Sequence, residues 1–261
     1  MKNLLTNKVP VLFVGAPGVG KTAVVKQCFD YVEVILTSTM VEEDAAGIPY
    51  REGEYDYRTI PALFRRLREA DEKGLTTCLF FDELDKARRS VADTLLTLVA
   101  SRRIGDAALP ERTCIVAAAN PPQYGGGDGV SDAMISRFSV VDFVPSVSGW
   151  ADWAGGKFKS PAAVRVIEAV RGGIIPLIEC VGEGLDKRIS SPRTISLALE
   201  YLEEKGSSDD FERIATGLLT ANVASLCISR AKVIKNDSLE KSVSTKLKAL
   251  KHTNGIKPMV F

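Results

Sequence analysis

The sequence predicts a three-layer α/β sandwich on a parallel sheet, followed by a small helical domain. Two observations lead there. The first half alternates short apolar runs with helical periodicity, the pattern of strands buried on both faces and the helices that cover them. After Pro145 the strand-like runs stop and only helical patterns follow.

The elements can be justified in order. Residues 9–14 form a continuous apolar run ending in glycine, the first strand. Residues 21–29 follow the glycine loop as a helix, and residues 32–37 read as the second strand. Residues 61–73 form a helix: Pro61 takes the favoured first position, Leu63, Phe64, Leu67 and Ala70 make one apolar face, and Gly74 stops it. Residues 78–81 are the third strand. A helix follows over about residues 90–101, with Val91, Leu95, Leu98 and Val99 on one side. Residues 114–119 and 140–144 are the fourth and fifth strands.

The next stretch, residues 146–159, is rich in Gly, Ser and Trp and reads as a connector. Ser160 and Pro161 open a helix bearing Val164, Ile167 and Val170. Ser191 and Pro192 open another bearing Ile195, Leu199 and Leu202. Asp209 and Asp210 precede a third, with Phe211, Ile214, Leu218 and Leu226. The expected domains are an α/β core over residues 1–146, a helical domain over residues 147–235 and a basic tail over residues 236–261. The tail has five lysines against two acids and reads as a solvated extension.

Composition narrows the classes. Lys plus Arg is 34 and Asp plus Glu is 33, so no whole-molecule charge favours nucleic acid or an anionic membrane. Cys28, Cys78, Cys114, Cys180 and Cys227 form no C-x-x-C pair, and His252 is the only histidine, so a zinc site is not expected. An odd number of scattered cysteines suits a reducing compartment. The opening residues, broken by Asn7, Lys8 and Pro10, do not read as a signal peptide, and no apolar run approaches the roughly 20 residues that span a bilayer. A cytoplasmic protein without membrane contact is expected.

The segment Gly15-Ala16-Pro17-Gly18-Val19-Gly20-Lys21-Thr22 fits G-x-x-x-x-G-K-[ST] fully, between an apolar strand and a helix. Glycines let the backbone curl so that successive N–H groups point at a β-phosphate, and the helix opening at Lys21, Thr22 and Ala23 adds its positive N-terminus. Lys21 is expected to reach the β- and γ-phosphates of ATP and the Thr22 hydroxyl to bind Mg²⁺. The third strand ends in Asp82 and Glu83, at the carboxyl end where open α/β sheets bind ligands. Asp82 is expected in the Mg²⁺ shell, and Glu83 to orient and polarise the attacking water.

With Ile115-Val116-Ala117-Ala118-Ala119-Asn120-Pro121, these two motifs resemble the AAA+ ATPase family. That resemblance implies a P-loop NTPase sheet of five parallel strands in the order 5-1-4-3-2. It makes Asn120 the sensor 1 residue that positions water. Ser136-Arg137-Phe138, after Ala133-Met134-Ile135, resembles the arginine finger segment, with Arg137 reaching a neighbouring subunit's nucleotide. Ser191-Pro192-Arg193-Thr194 resembles the sensor 2 motif of MoxR-type members, with Arg193 in a helical lid touching the γ-phosphate. Each arginine also fits a surface cation at a helix end. Residues 44–64 resemble the MoxR-type β-hairpin insert in the second helix, and residues 101–110 the hairpin before the sensor 1 strand.

The implied function is Mg-dependent ATP hydrolysis by a ring, expected to be hexameric, that remodels or assembles protein complexes. The implied partner is a protein client or adaptor, such as a von Willebrand A domain protein. A nucleic-acid motor or helicase or clamp loader on the same core is the alternative; the neutral charge counts against nucleic acid. A nucleotide-gated scaffold is a third reading, and the intact Glu83 and Asn120 oppose it. Tyr50, Tyr55 and Tyr57 suit either a substrate contact or a plain exposed hairpin. Arg102 and Arg103 suit either a second trans-acting pair or helix-terminal cations. Residues 125–129 read as a flexible loop.

Overall fold

A computed structural model describes residues 9–124 and 129–232. The opening residues, residues 125–128 of the glycine loop, the basic tail and His252 lie outside the described residues. The chain divides at Pro145 and Ser146 into two compact units.

In the first unit β1 (Val11–Val14) runs into a glycine loop and α1 (Lys21–Cys28). β2 (Tyr31–Leu36) precedes a short α2 (Glu42–Ala46). A hairpin of β3 (Pro49–Glu52) and β4 (Tyr55–Arg58) follows, with Tyr50 and Tyr57 paired across it and stacked at 5.7 Å. Next come α3 (Ala62–Glu72), β5 (Thr77–Asp82) and α4 (Arg89–Ser101). A second hairpin, β6 (Arg103–Ile104) with β7 (Ala107–Ala108), leads to β8 (Cys114–Ala119). α5 (Asp132–Ile135) and β9 (Ser139–Asp142) complete the unit.

The five-stranded sheet has the order β2-β5-β8-β1-β9, and every pairing in it is parallel. Counting only these strands along the chain, that is 2-3-4-1-5, the expected 5-1-4-3-2 read from the other edge. β5 and β8 lie at the centre, which is why their sequences are almost wholly apolar. The faces of α3 and α4 read from periodicity are the buried ones: Leu63, Phe64, Leu67 and Ala70, and Val91, Leu95, Leu98 and Val99. They join Leu79, Phe81 and Ile115 in one core. The last strand ends sooner than its apolar run, at Asp142, and Val144 is 80% exposed.

Glu33 on β2 is a buried acid of this unit. Arg66 on α3 donates to its Oε2 at 3.0 Å and Tyr31 at 2.7 Å. Burial pushes the Glu33 carboxyl up, but the Arg66 and Tyr31 hydrogen bonds outweigh it and hold the group below the usual glutamate range.

The second unit corrects three expectations. Residues 146–159 are not a connector: α6 (Val147–Lys157) occupies them. Ser146 caps it by accepting from Gly149 N at 3.1 Å, and Trp150, Ala151 and Ala154 are buried on one face. Packing of that face overrides the poor helix propensity of three glycines. After α7 (Pro161–Arg171) comes a small antiparallel pair, β10 (Glu179–Val181) with β11 (Arg188–Ser190), so the unit is not purely helical. α8 (Pro192–Lys205) opens on a Ser191 cap with Pro192 in its first turn. The pattern beyond Asp209 is two helices rather than one, α9 (Asp209–Leu218) and α10 (Ala221–Lys232). The break falls where Leu219 turns extended and Thr220 N donates to Ser190 Oγ at 2.9 Å. Phe158, Val166, Ile167, Leu199 and Phe211 fill this unit's own core. No helix among the described residues is long and apolar enough to cross a membrane.

Candidate active site

The glycine loop leaves β1 at Gly15, whose N–H donates to Ala119 O on β8 at 3.2 Å. Gly18 and Gly20 take left-handed backbone angles, φ 77° and 103°, which favour glycine and curl the chain around an open space. Ala16 and Val19 are buried and anchor the loop; Pro17 sits half-buried between them. Lys21, Thr22 and Ala23 form the first turn of α1, the turn whose N–H groups a helix cannot satisfy itself and an anion can.

Lys21 is buried, and its Nζ donates to Gly15 O at 2.6 Å, Ala16 O at 3.0 Å and Asn120 Oδ1 at 3.0 Å. The ammonium is thus folded into its own loop and already tied to the end of β8. Thr22 Oγ1 donates to Asp82 Oδ2 at 2.7 Å, joining the loop to the end of β5. A hydroxyl beside a single carboxylate fits Mg²⁺, which takes one or two carboxylates and fills its octahedron with water and phosphate oxygens. Among the described residues no cluster of His, Cys, Asp and Glu could hold a metal by itself.

Glu83 adopts a left-handed angle, φ 56°, uncommon for a side-chain-bearing residue. Its N–H donates to Asp82 Oδ1 at 3.0 Å. Its carboxylate accepts from Ser38 Oγ at 2.8 Å and from Lys86 Nζ at 3.0 Å. Thr37 Oγ1 donates to the Asp82 and Glu83 carbonyls at 3.0 and 2.7 Å. Buried Asp85 accepts from Asn120 N at 3.0 Å, which ties the end of β8 to the turn after β5.

The structure therefore brings together Lys21, Thr22, Asp82 and Asn120, with Glu83 next to Asp82. Arg137 is elsewhere: it is exposed after α5, and its Nη1 donates to Ala133 O at 2.6 Å and Ser136 Oγ at 3.3 Å. Arg193 lies in the second unit, exposed in the first turn of α8. Arg102 holds its own chain, capping α4 at φ 58° and donating to Pro110 O at 3.1 Å and Thr113 O at 2.6 Å. Its guanidinium thus tethers its own chain, as a cation at a helix end can.

Sequence reasoning missed Ser38, Asp85 and Lys86. Asp85 and Lys86 carried a signal, since they continue the Asp82-Glu83 motif through a single 3₁₀ turn, Leu84–Lys86. Ser38 carried none, because only the β2–β5 pairing sets it opposite Glu83.

Among solved structures, the chain is similar to Thermotoga maritima RuvB, titled a Holliday junction branch migration motor. Identity there is 16% and the TM-score 0.48, over 98% of this chain and 80% of that one. A lysine-to-arginine mutant of the same RuvB matches at 16% identity and TM-score 0.46, over 95% of this chain and 75% of that one. Residues 10–138 match the family model of the AAA domain, dynein-related subfamily. The matched segment, just under half of the chain, holds the glycine loop, both strand-end acids and Asn120, and is similar to an AAA domain.

Proposed function

We propose that this chain hydrolyses ATP with Mg²⁺, and does so in a ring as a MoxR-like ATPase that remodels or assembles protein complexes. The observation that carries the hydrolytic reading is the pair of ties from one loop to two strand ends, Lys21 to Asn120 and Thr22 to Asp82. They set phosphate-binding, metal-binding and water-positioning groups around one space. Catalysis there is positioning and charge neutralisation.

The loop N–H groups receive the β-phosphate of ATP. Lys21 exchanges its carbonyl partners for phosphate oxygens, its charge matched by theirs. Thr22 and Asp82 would hold Mg²⁺, which would supply charge neutralisation at the phosphate oxygens. Glu83 orients and polarises the attacking water, and the Asn120 amide fixes where that water stands. Arg137, exposed and spent only on local oxygens, is available to a neighbouring subunit's γ-phosphate. Arg193 is proposed to bear on turnover from the second unit, which would act as a lid. The client is a protein, with a von Willebrand A domain adaptor as the candidate partner.

The ring reading is tested by ATP turnover against protein concentration, with Arg137→Ala and Glu83→Gln proteins alone and mixed. Specific activity rises with concentration if the site is shared, and mixing restores turnover because each variant supplies what the other lacks. Concentration-independent turnover, with Arg137→Ala as active as wild type, would contradict it.

A further inference from the structure

Among the described residues the outer edge of β2 pairs with no other strand, and it presents a second feature, away from the glycine loop. β2 is an outer strand of the sheet, and its ladder is with β5. Its Tyr31 and Thr37 N–H groups point inward, donating to Thr76 O at 3.1 Å and Asp82 O at 3.0 Å. Alternation along a strand then turns the N–H and C=O of Val34 and the N–H of Leu36 outward. An edge with unpaired backbone groups is a template for another strand.

Along this edge lies a groove of about 520 Å³, bounded on its far side by α2, the base of the β3–β4 hairpin and the start of α3. Its apolar wall comes from Val34, Leu36, Met40, Ile48, Ile60 and Leu63. Val34, Leu36, Ile48 and Ile60 are exposed, from 38% to 60%, an unusual concentration of large apolar side chains on a surface that carries none of the nucleotide residues.

Among the described residues, the charge lining the groove outside the Glu33–Arg66 pair is negative. Glu43 and Asp44 line it, and Glu43 makes no ion pair among the described residues. The groove's cation, Arg66, is already committed to Glu33. A phosphate backbone would be repelled here, whereas a Lys or Arg would be attracted.

We infer that this edge docks an extended segment of another polypeptide, which adds as a strand to β2. That segment is apolar at alternate residues, to fill the groove, and carries a Lys or Arg toward Glu43 and Asp44. Main-chain hydrogen bonds to Val34 and Leu36 supply affinity that does not depend on sequence. The apolar alternation and the cation supply selectivity.

The test is fluorescence anisotropy on the full chain without nucleotide, so its outcome is separate from that of the turnover experiment. Three labelled peptides serve as probes: alternating Val and Thr with a central Lys pair, the same with Glu for Lys, and the Lys peptide N-methylated along one edge. The Lys peptide should bind, and the other two about tenfold more weakly or worse. Glu43→Lys, an exposed change, should reverse the preference between the Lys and Glu peptides while leaving the melting temperature in place. Equal binding of all three peptides, or of none, overturns the inference. So does a Glu43→Lys effect confined to self-association measured by sedimentation, which would assign the edge to a second copy of this chain.

Discussion

Gly15→Ala should destabilise the first unit through one close approach. The backbone at Gly15 does not take a left-handed angle, so a side chain is not refused by conformation. It is refused by space: an added Cβ would stand 2.4 Å from Phe143 O and 3.2 Å from Phe143 Cβ. Neither side retreats easily. Phe143 N is held to Val14 O at 2.7 Å, and Gly15 N to Ala119 O at 3.2 Å. Relief means parting the loop from the chain after β9, and overpacking of this kind costs about 1–3 kcal/mol. For a chain of this size each kcal/mol lowers Tm by about 2–4 °C. The melting transition should therefore fall by about 2–12 °C in circular-dichroism melts. Gly155→Ala is the matched control, inside α6 with nothing within 4 Å of its added Cβ. It should raise stability by about 0.5–1 kcal/mol. A Gly15→Ala protein that melts at or above the wild-type temperature would refute the steric argument.

Further expected outcomes concern the Glu33–Arg66 pair, the thiols and the proposed metal ligands. Glu33 has a depressed carboxyl pKa, so its stabilisation is present above the ordinary glutamate range and is lost as pH falls through the depressed value. Glu33→Gln should cost about 1–3 kcal/mol at neutral pH, and urea melts should show that gap closing in acid; a gap unchanged in acid would count against the pairing. Burial holds the Cys78 thiol well above its usual range and pushes Cys227 up to about 12, while Cys180 is exposed. Mass spectrometry after alkylation of the native protein should find Cys180 modified first, and Cys78 and Cys227 only after unfolding. Thr22→Val removes the hydroxyl that bonds Asp82 and keeps the side-chain shape. Apparent Mg²⁺ affinity in the nucleotide-bound state should fall by at least about tenfold, read by titration calorimetry.

The α/β core was legible because each of its signals is local. β5 and β8 are apolar from end to end, α3 and α4 carry clean faces, and Gly18 and Gly20 occupy the left-handed positions that the loop motif demands. The second unit was less legible because its signals are tertiary. Nothing within residues 147–157 outweighs their glycines until Trp150 and Ala154 pack into that unit's core. β10 and β11 have three residues each, too few for a period to show, and are held by pairing across a turn. In the site, Lys21, Thr22 and Asp82 announce themselves by motif. Ser38 becomes a neighbour of Glu83 only once β2 pairs with β5.

The most direct measurement is steady-state ATP turnover beside ATP binding for Glu83→Gln and wild type at the same protein concentration. In the proposed mechanism Glu83 acts on the attacking water and not through the glycine loop. The variant should bind Mg-ATP as tightly as wild type and turn it over at least about 100-fold more slowly. Equal turnover by the two proteins would contradict the assignment of Glu83, and with it the hydrolytic site drawn around Lys21, Thr22, Asp82 and Asn120.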